Sequence, residues 1–83
     1  MSTVTVFGAG AWGSTLAQVL CDAGNEVVLW GRKEDVVNEI NTKHTNAKYT
    51  GQNVLPSEIR ATTNLEDAFA FSNTYVLAIP SQE

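Results

Sequence analysis

With 83 residues, the chain has room for one small domain or part of one, since domains typically run to about 100–200 residues. Hydrophobic residues make up 43% of it and charged residues 17%, a balance that excludes an intrinsically disordered chain. The formal net charge of −4 leaves no basic footprint for nucleic acid, although single lysines and arginines can still meet phosphates.

The segment Thr3-Val4-Thr5-Val6-Phe7 is β-branched and aromatic and predicts a first strand. It runs into Gly8-Ala9-Gly10-Ala11-Trp12-Gly13, a GxGxxG turn. In such a turn Gly8 permits the tight bend. Gly10 lets backbone approach a pyrophosphate that a Cβ would strike, and Gly13 lets the next helix pack on the strand. That helix opens with N–H groups lacking intrahelical partners, and these favour a bound phosphate, as does the helix dipole. Leu16, Val19, Leu20 and Ala23 recur at helical spacing, predicting a helix from Trp12 to Ala23 with one apolar face. Gly24 suits the left-handed position past its end, with Asn25 in the same turn. Residues 26–30 predict a second, largely buried strand. A lone glycine motif is weak, but this one sits between a strand and a helix. It points to a dinucleotide site, with a glycine-rich methyltransferase turn as the main alternative.

The second strand ends in Gly31-Arg32-Lys33. NAD-selective folds usually place an acid about 20 residues past the glycine turn, on the ribose 2′-hydroxyl. No acid stands at this strand tip. An arginine there makes charge-assisted hydrogen bonds to a 2′-phosphate and stacks on adenine, so NADP is expected to be favoured over NAD. Arg32 and Lys33 are the candidate residues, against a solvated basic pair that merely starts a helix. Glu34 and Asp35 complement the dipole of a second helix whose Val36, Val37 and Ile40 share one side.

From Asn41 to Pro56 the sequence is polar and predicts a long excursion, a length at which loops are often functional. His44 and Tyr49 lie in it and read by residue type as loop residues rather than catalysts. Residues 59–62 predict a short third strand. Thr63 with Glu66, or equally Asn64 with Asp67, would cap a short helix carrying Leu65, Ala68, Phe69 and Phe71. Residues 74–79 predict a fourth strand, ending at Pro80. The loop of Pro80, Ser81 and Gln82 then follows a strand's carboxyl end, where ligands of such sheets sit. Trp12, beside the expected pyrophosphate, either packs over a cofactor or caps the sheet. The residue pattern offers no metal cluster and no Ser-His-Asp arrangement.

The order β-α-β-α-β-α-β predicts an α/β fold, the first half of a Rossmann-like doubly wound parallel sheet. Ending just after a fourth strand would leave sheet and helix faces uncovered. Residues 1–83 are therefore expected to form a partial N-terminal dinucleotide-binding domain, with homodimerisation through the uncovered edge left open. Cys21, the one cysteine, suits a reducing compartment and reads as a packed residue rather than a nucleophile. No basic leader precedes the first apolar run, and no stretch approaches the roughly 20 apolar residues of a membrane span. A soluble cytoplasmic protein is the expectation.

Taken together these segments resemble the N-terminal part of bacterial NAD(P)-dependent glycerol-3-phosphate dehydrogenase. The glycine turn through Ser14 is similar, including the tryptophan before the third glycine. So are Leu29-Trp30-Gly31-Arg32, the His44-Thr45-Asn46, Tyr49, Gly51 and Leu55-Pro56 excursion, residues 61–65 and Ile79-Pro80-Ser81-Gln82. At residue 79 that family usually has valine. The resemblance implies reversible reduction of dihydroxyacetone phosphate to sn-glycerol 3-phosphate by NADPH or NADH, feeding phospholipid synthesis. It places Ala11, Trp12, Arg32, Lys33 and Tyr49 in the cofactor pocket with the loop at Pro80 and Ser81. The family's catalytic lysines and helical C-terminal domain would lie beyond Glu83, so these 83 residues alone are expected to be inactive. A stand-alone nucleotide-binding or redox-sensing module and another two-domain hydroxy-acid dehydrogenase are the competing expectations.

Overall fold

A computed structural model describes residues 2–46 and 54–78. Among the described residues four strands and three helices alternate: β1 (Thr3–Phe7), α1 (Ala11–Asp22), β2 (Glu26–Trp30), α2 (Glu34–Lys43), β3 (Arg60–Thr62), α3 (Leu65–Phe71) and β4 (Tyr75–Leu77). The strands form one parallel sheet in the order β3-β2-β1-β4. That order is the one a doubly wound sheet takes when the chain winds outward from β1 and then crosses to its other side. The α/β expectation therefore holds.

Parallel strands are covered on both faces, and successive side chains point to opposite faces. Val4, Val6, Val27 and Leu29 join Ala17 of α1 and Val36, Val37 and Ile40 of α2 in one buried cluster. Burying a side chain such as Leu29 or Ile40 stabilises the fold by roughly 1.5–3 kcal/mol. Thr5 and Phe7 face the other way, toward α3. The Thr5 hydroxyl, fully buried, donates to the Ala68 carbonyl at 2.8 Å, so its burial leaves no bare polar group. The Phe7 ring lies 5.0 Å from that of Phe69, 5.8 Å from Tyr75 and 6.2 Å from Trp30. One β1 residue thus anchors α3, β4 and the end of β2.

Three expectations about α1 and α2 need correction. Helix α1 starts one residue earlier than predicted and ends at Asp22, with Ala23 as its C-cap and Gly24 at φ 100° beyond it. Its buried side is not the Leu16–Val19–Leu20–Ala23 set: Val19 is 59% exposed, while Gly13, Ser14 and Ala17 are buried, with Leu16 and Leu20 packed alongside. Small residues face the sheet because α1 is drawn close to β1 at its start, and Val19 lies across the helix from Ala17. Helix α2 continues to Lys43, three residues into the predicted excursion, and stops at His44 in the left-handed conformation (φ 58°). Asn41 is held in that last turn by a two-way bond with Ala61, its Nδ2 donating to the carbonyl and its Oδ1 accepting from the N–H, both at 2.9 Å.

The two capping options for α3 are resolved in favour of Asn64, whose Oδ1 accepts from the Asp67 N–H at 3.0 Å. The short strands β3 and β4 fall inside the predicted segments. Among the described residues no helix is long and apolar enough to cross a membrane.

Candidate functional site

The carboxyl ends of β1 and β2 finish level, with Phe7 opposite Trp30. The chain beyond each strand is then locked to its neighbour. Gly8 takes φ 119°, a conformation that side chains rarely allow, and its N–H donates to the Trp30 carbonyl at 2.8 Å. A Cβ on Gly13 would lie 1.6 Å from the Gly8 carbonyl oxygen, so the first turn of α1 rests directly on the end of β1. A Cβ on Gly31 would lie 2.9 Å from that of Ala9, so the tip of β2 rests on the turn as well. Gly10 differs: at φ −83° and ψ −163° its backbone is one that any residue adopts. Conformation alone does not call for glycine there.

Gly10 is also the N-cap of α1. No side chain caps this helix start, and its first turn carries no acid. The first N–H to find an acceptor in the helix is that of Ser14, which donates to the Gly10 carbonyl at 2.9 Å. The N–H groups of Ala11, Trp12 and Gly13 precede it, at the end of the helix that carries positive partial charge. The arrangement can accept an anion at the carboxyl side of the sheet.

Around this start the predicted residues take different places. Trp12 is 62% exposed in the first turn of α1. Arg32 and Lys33 are exposed on the connection out of β2, where Lys33 is also the N-cap of α2 and its carbonyl accepts from Val37. They follow Gly31, so the cationic pair and the glycine turn share one end of the sheet. Tyr49, Pro80 and Ser81 lie outside the described residues.

One residue that belongs to this neighbourhood was not singled out from its chemistry. Asn46 is fully buried, and its Nδ2 donates to the Ala9 carbonyl at 2.7 Å and to Ser14 Oγ at 2.9 Å. The segment carrying it is pinned at its base. The His44 carbonyl accepts from the Leu55 N–H at 2.6 Å, Thr45 bridges Val54, and the Thr45 hydroxyl donates to Glu39 at 2.6 Å. An asparagine in a polar stretch carries no sign that it will cross 37 positions to reach a glycine turn. Only its place in the His-x-Asn pattern set it apart.

Cys21 is half-buried, and burial, then the carboxylates of Glu58 and Asp22, push its thiol above the ordinary value. Cys21 packs against the buried cluster, as expected of a packed residue. Among the described residues no His, Cys, Asp or Glu cluster could hold a metal ion.

Known proteins share the sequence and the fold of this chain. The chain is 45% identical over 82 residues to the glycerol-3-phosphate dehydrogenase (NAD(P)+) of Staphylococcus saprophyticus, covering 99% of the chain and 25% of that protein. It is 48% identical over 81 residues to glycerol-3-phosphate dehydrogenase (NAD(P)+) 2 of Mycobacterium tuberculosis, covering 98% and 24%. The chain thus spans about a quarter of the length of the curated relatives it matches. Among solved structures, the glycerol-3-phosphate dehydrogenase of Saccharomyces cerevisiae superposes with a TM-score of 0.87 at 31% identity, over 98% of this chain and 27% of that one. That of Coxiella burnetii gives 0.83 at 28% identity, over 92% and 23%. Residues 3–83 match the model of the NAD-dependent glycerol-3-phosphate dehydrogenase N-terminus, and the chain belongs to that family.

Proposed function

We propose that this chain is the dinucleotide-binding segment of an NAD(P)-dependent sn-glycerol-3-phosphate dehydrogenase, residues 1–83 being the first part of its N-terminal domain. The observation that carries the reading is the bare start of α1: uncapped, free of acids, and set by Gly8 and Gly13 against the ends of β1 and β2. Gly8 and Gly13 shape the turn. Gly10, whose backbone conformation does not require glycine, leaves room where a Cβ would meet the pyrophosphate. The N–H groups of Ala11, Trp12 and Gly13 bind its oxygens.

Arg32 and Lys33 hold the adenosine end, and the absence of an acid at the β2 tip favours NADP over NAD. Trp12, exposed beside the turn, packs over the cofactor. Tyr49, Pro80 and Ser81 complete the pocket by analogy with the family. The bound nicotinamide supplies or accepts the hydride exchanged with dihydroxyacetone phosphate or glycerol 3-phosphate. This segment contributes binding and orientation, and the groups that hold substrate in line come from the portion of the relatives that it does not span. The setting is the cytoplasm, where the product enters phospholipid synthesis.

The test is an assay of the protein made from its complete gene. Oxidation of NADPH or NADH that depends on dihydroxyacetone phosphate supports the reading, and its absence overturns it. Arg32→Ala is expected to weaken NADPH binding about tenfold, as befits the removal of one charge-assisted hydrogen bond, and NADH binding much less. Equal losses for both cofactors would remove Arg32 from the 2′-phosphate.

A further inference from the structure

Asn41 in the last turn of α2 and Asn46 just beyond that helix make different kinds of contact. Asn41 pairs with both backbone groups of Ala61, in a strand whose conformation the sheet ladder already fixes. Asn46 gives its Nδ2 hydrogens to the Ala9 carbonyl and the Ser14 hydroxyl, on the two flanks of Gly10. Ser14 is fully buried too, and its N–H makes the bond to Gly10 that opens the α1 ladder. The turn from Ala9 to Gly13 has no strand partner of its own. Among the described residues its shape is set by the contacts at Gly8, Gly13 and Gly31 together with the Asn46 side chain.

We infer that Asn46 is a positioning residue for the dinucleotide, acting through the glycine turn; this rests on the function proposed above. The carbonyl and N–H of a trans peptide point in opposite directions. With the Ala9 carbonyl drawn to Asn46, the N–H of Gly10 faces away from it. The bond to Ser14 fixes the first turn of α1 on the other flank. Asn46 thereby sets in advance the row of N–H groups that a pyrophosphate would meet, so that less ordering remains to be done on binding. It also ties the segment leaving α2 to the turn.

The experiment uses the protein made from its complete gene, with NADPH and NADH as probes. Asn46→Ala is expected to raise the dissociation constants of both by about tenfold, as befits the removal of one or two hydrogen bonds. Both rise because the pyrophosphate is common to them, whereas Arg32→Ala separates them. At saturating cofactor, kcat should stay within about twofold. Ser14→Ala should give a smaller loss, and the double variant should bind no more weakly than Asn46→Ala alone, since the asparagine acts on α1 through the serine. Asn41→Ala, which cuts the α2–β3 tie, should lower the urea midpoint and leave both dissociation constants unchanged.

Unchanged affinity in folded Asn46→Ala overturns the proposal. So do losses that multiply in the double variant, or an equal loss in Asn41→Ala. If the unaltered protein binds neither cofactor, the dinucleotide reading itself falls. Should Asn46→Ala not fold, the side-chain amide resonances of the unaltered protein decide: NADPH should shift those of Asn46 and leave those of Asn41, and no shift at Asn46 overturns the proposal.

Discussion

Helices α1 and α3 begin in opposite ways. Asn64 caps α3 through the Asp67 N–H, donates its own N–H to Thr62 Oγ1, and is followed by Glu66 and Asp67 in the first turn. Helix α1 starts on Gly10 with no side-chain cap and no acid. The difference follows from what holds each helix. Helix α3 is seven residues long and buries Ala68 deeply, so its start depends on local bonds. Helix α1 has twelve residues and packs Gly13, Ser14, Ala17, Leu16 and Leu20 onto the sheet, so it persists with a bare end. A good N-cap stabilises a helix by about 1 kcal/mol. Helix α1 forgoes that, and under the proposed function the phosphates of the cofactor occupy the place a capping side chain would take.

The largest expected effect comes from breaking the seat of the bare helix. Gly13→Ala puts a Cβ against the Gly8 carbonyl oxygen, a backbone atom that cannot step aside. We expect a loss of at least about 3 kcal/mol, at or above the top of the usual overpacking range. Urea unfolding followed by tryptophan fluorescence measures it, and a variant as stable as the parent would show that α1 does not rest on β1 in this way.

A second substitution makes α1 begin as α3 does. Gly10→Asp is compatible with φ −83° and supplies both a capping oxygen and a charge that suits the dipole. Stability should hold or rise by a few tenths of a kcal/mol, while the affinity for NADPH and NADH falls by about a hundredfold, or roughly 2.7 kcal/mol. A protein that gains the cap and keeps its affinity would show that the start of α1 does not receive the phosphates.

How far this contrast was legible in the sequence differs by region. The glycine turn was read correctly in Gly8 and Gly13 because each has a strictly local reason, a positive φ or a close approach, and its spacing announces both. The Asn64 cap was visible as one of two equal options, since Thr63 and Asn64 are both competent caps and only the folded backbone chooses. The buried side of α1 was misread because periodicity selects large apolar residues, whereas the sheet approaches too closely for them and takes Gly13, Ser14 and Ala17. Asn46 escaped any reading by chemistry because its partners are a distant carbonyl and a hydroxyl. Gly31 was read only as the strand end, yet it makes room for Ala9, a contact between two chain segments that no local pattern encodes.

The smallest effect tests the other side of the contrast. Asn64→Ala removes the oxygen that accepts from Asp67 and leaves α3 with a start as bare as that of α1, but without the packing that lets α1 tolerate it. A loss of about 1 kcal/mol is expected, the usual size for deleting an asparagine cap. The change should also register next door, because the Trp30 indole N–H donates to the Thr63 carbonyl at 3.0 Å, one residue before the cap. Loosening of α3 frees that indole, and native-state fluorescence shifts toward the red. Cofactor affinity should not change, since the cap stands outside the glycine turn. A stability loss with unchanged affinity here, set against unchanged stability with lost affinity in Gly10→Asp, would separate a helix start that serves the fold from one that serves a ligand. Loss of affinity in Asn64→Ala would erase that separation and tie the start of α3 to the site.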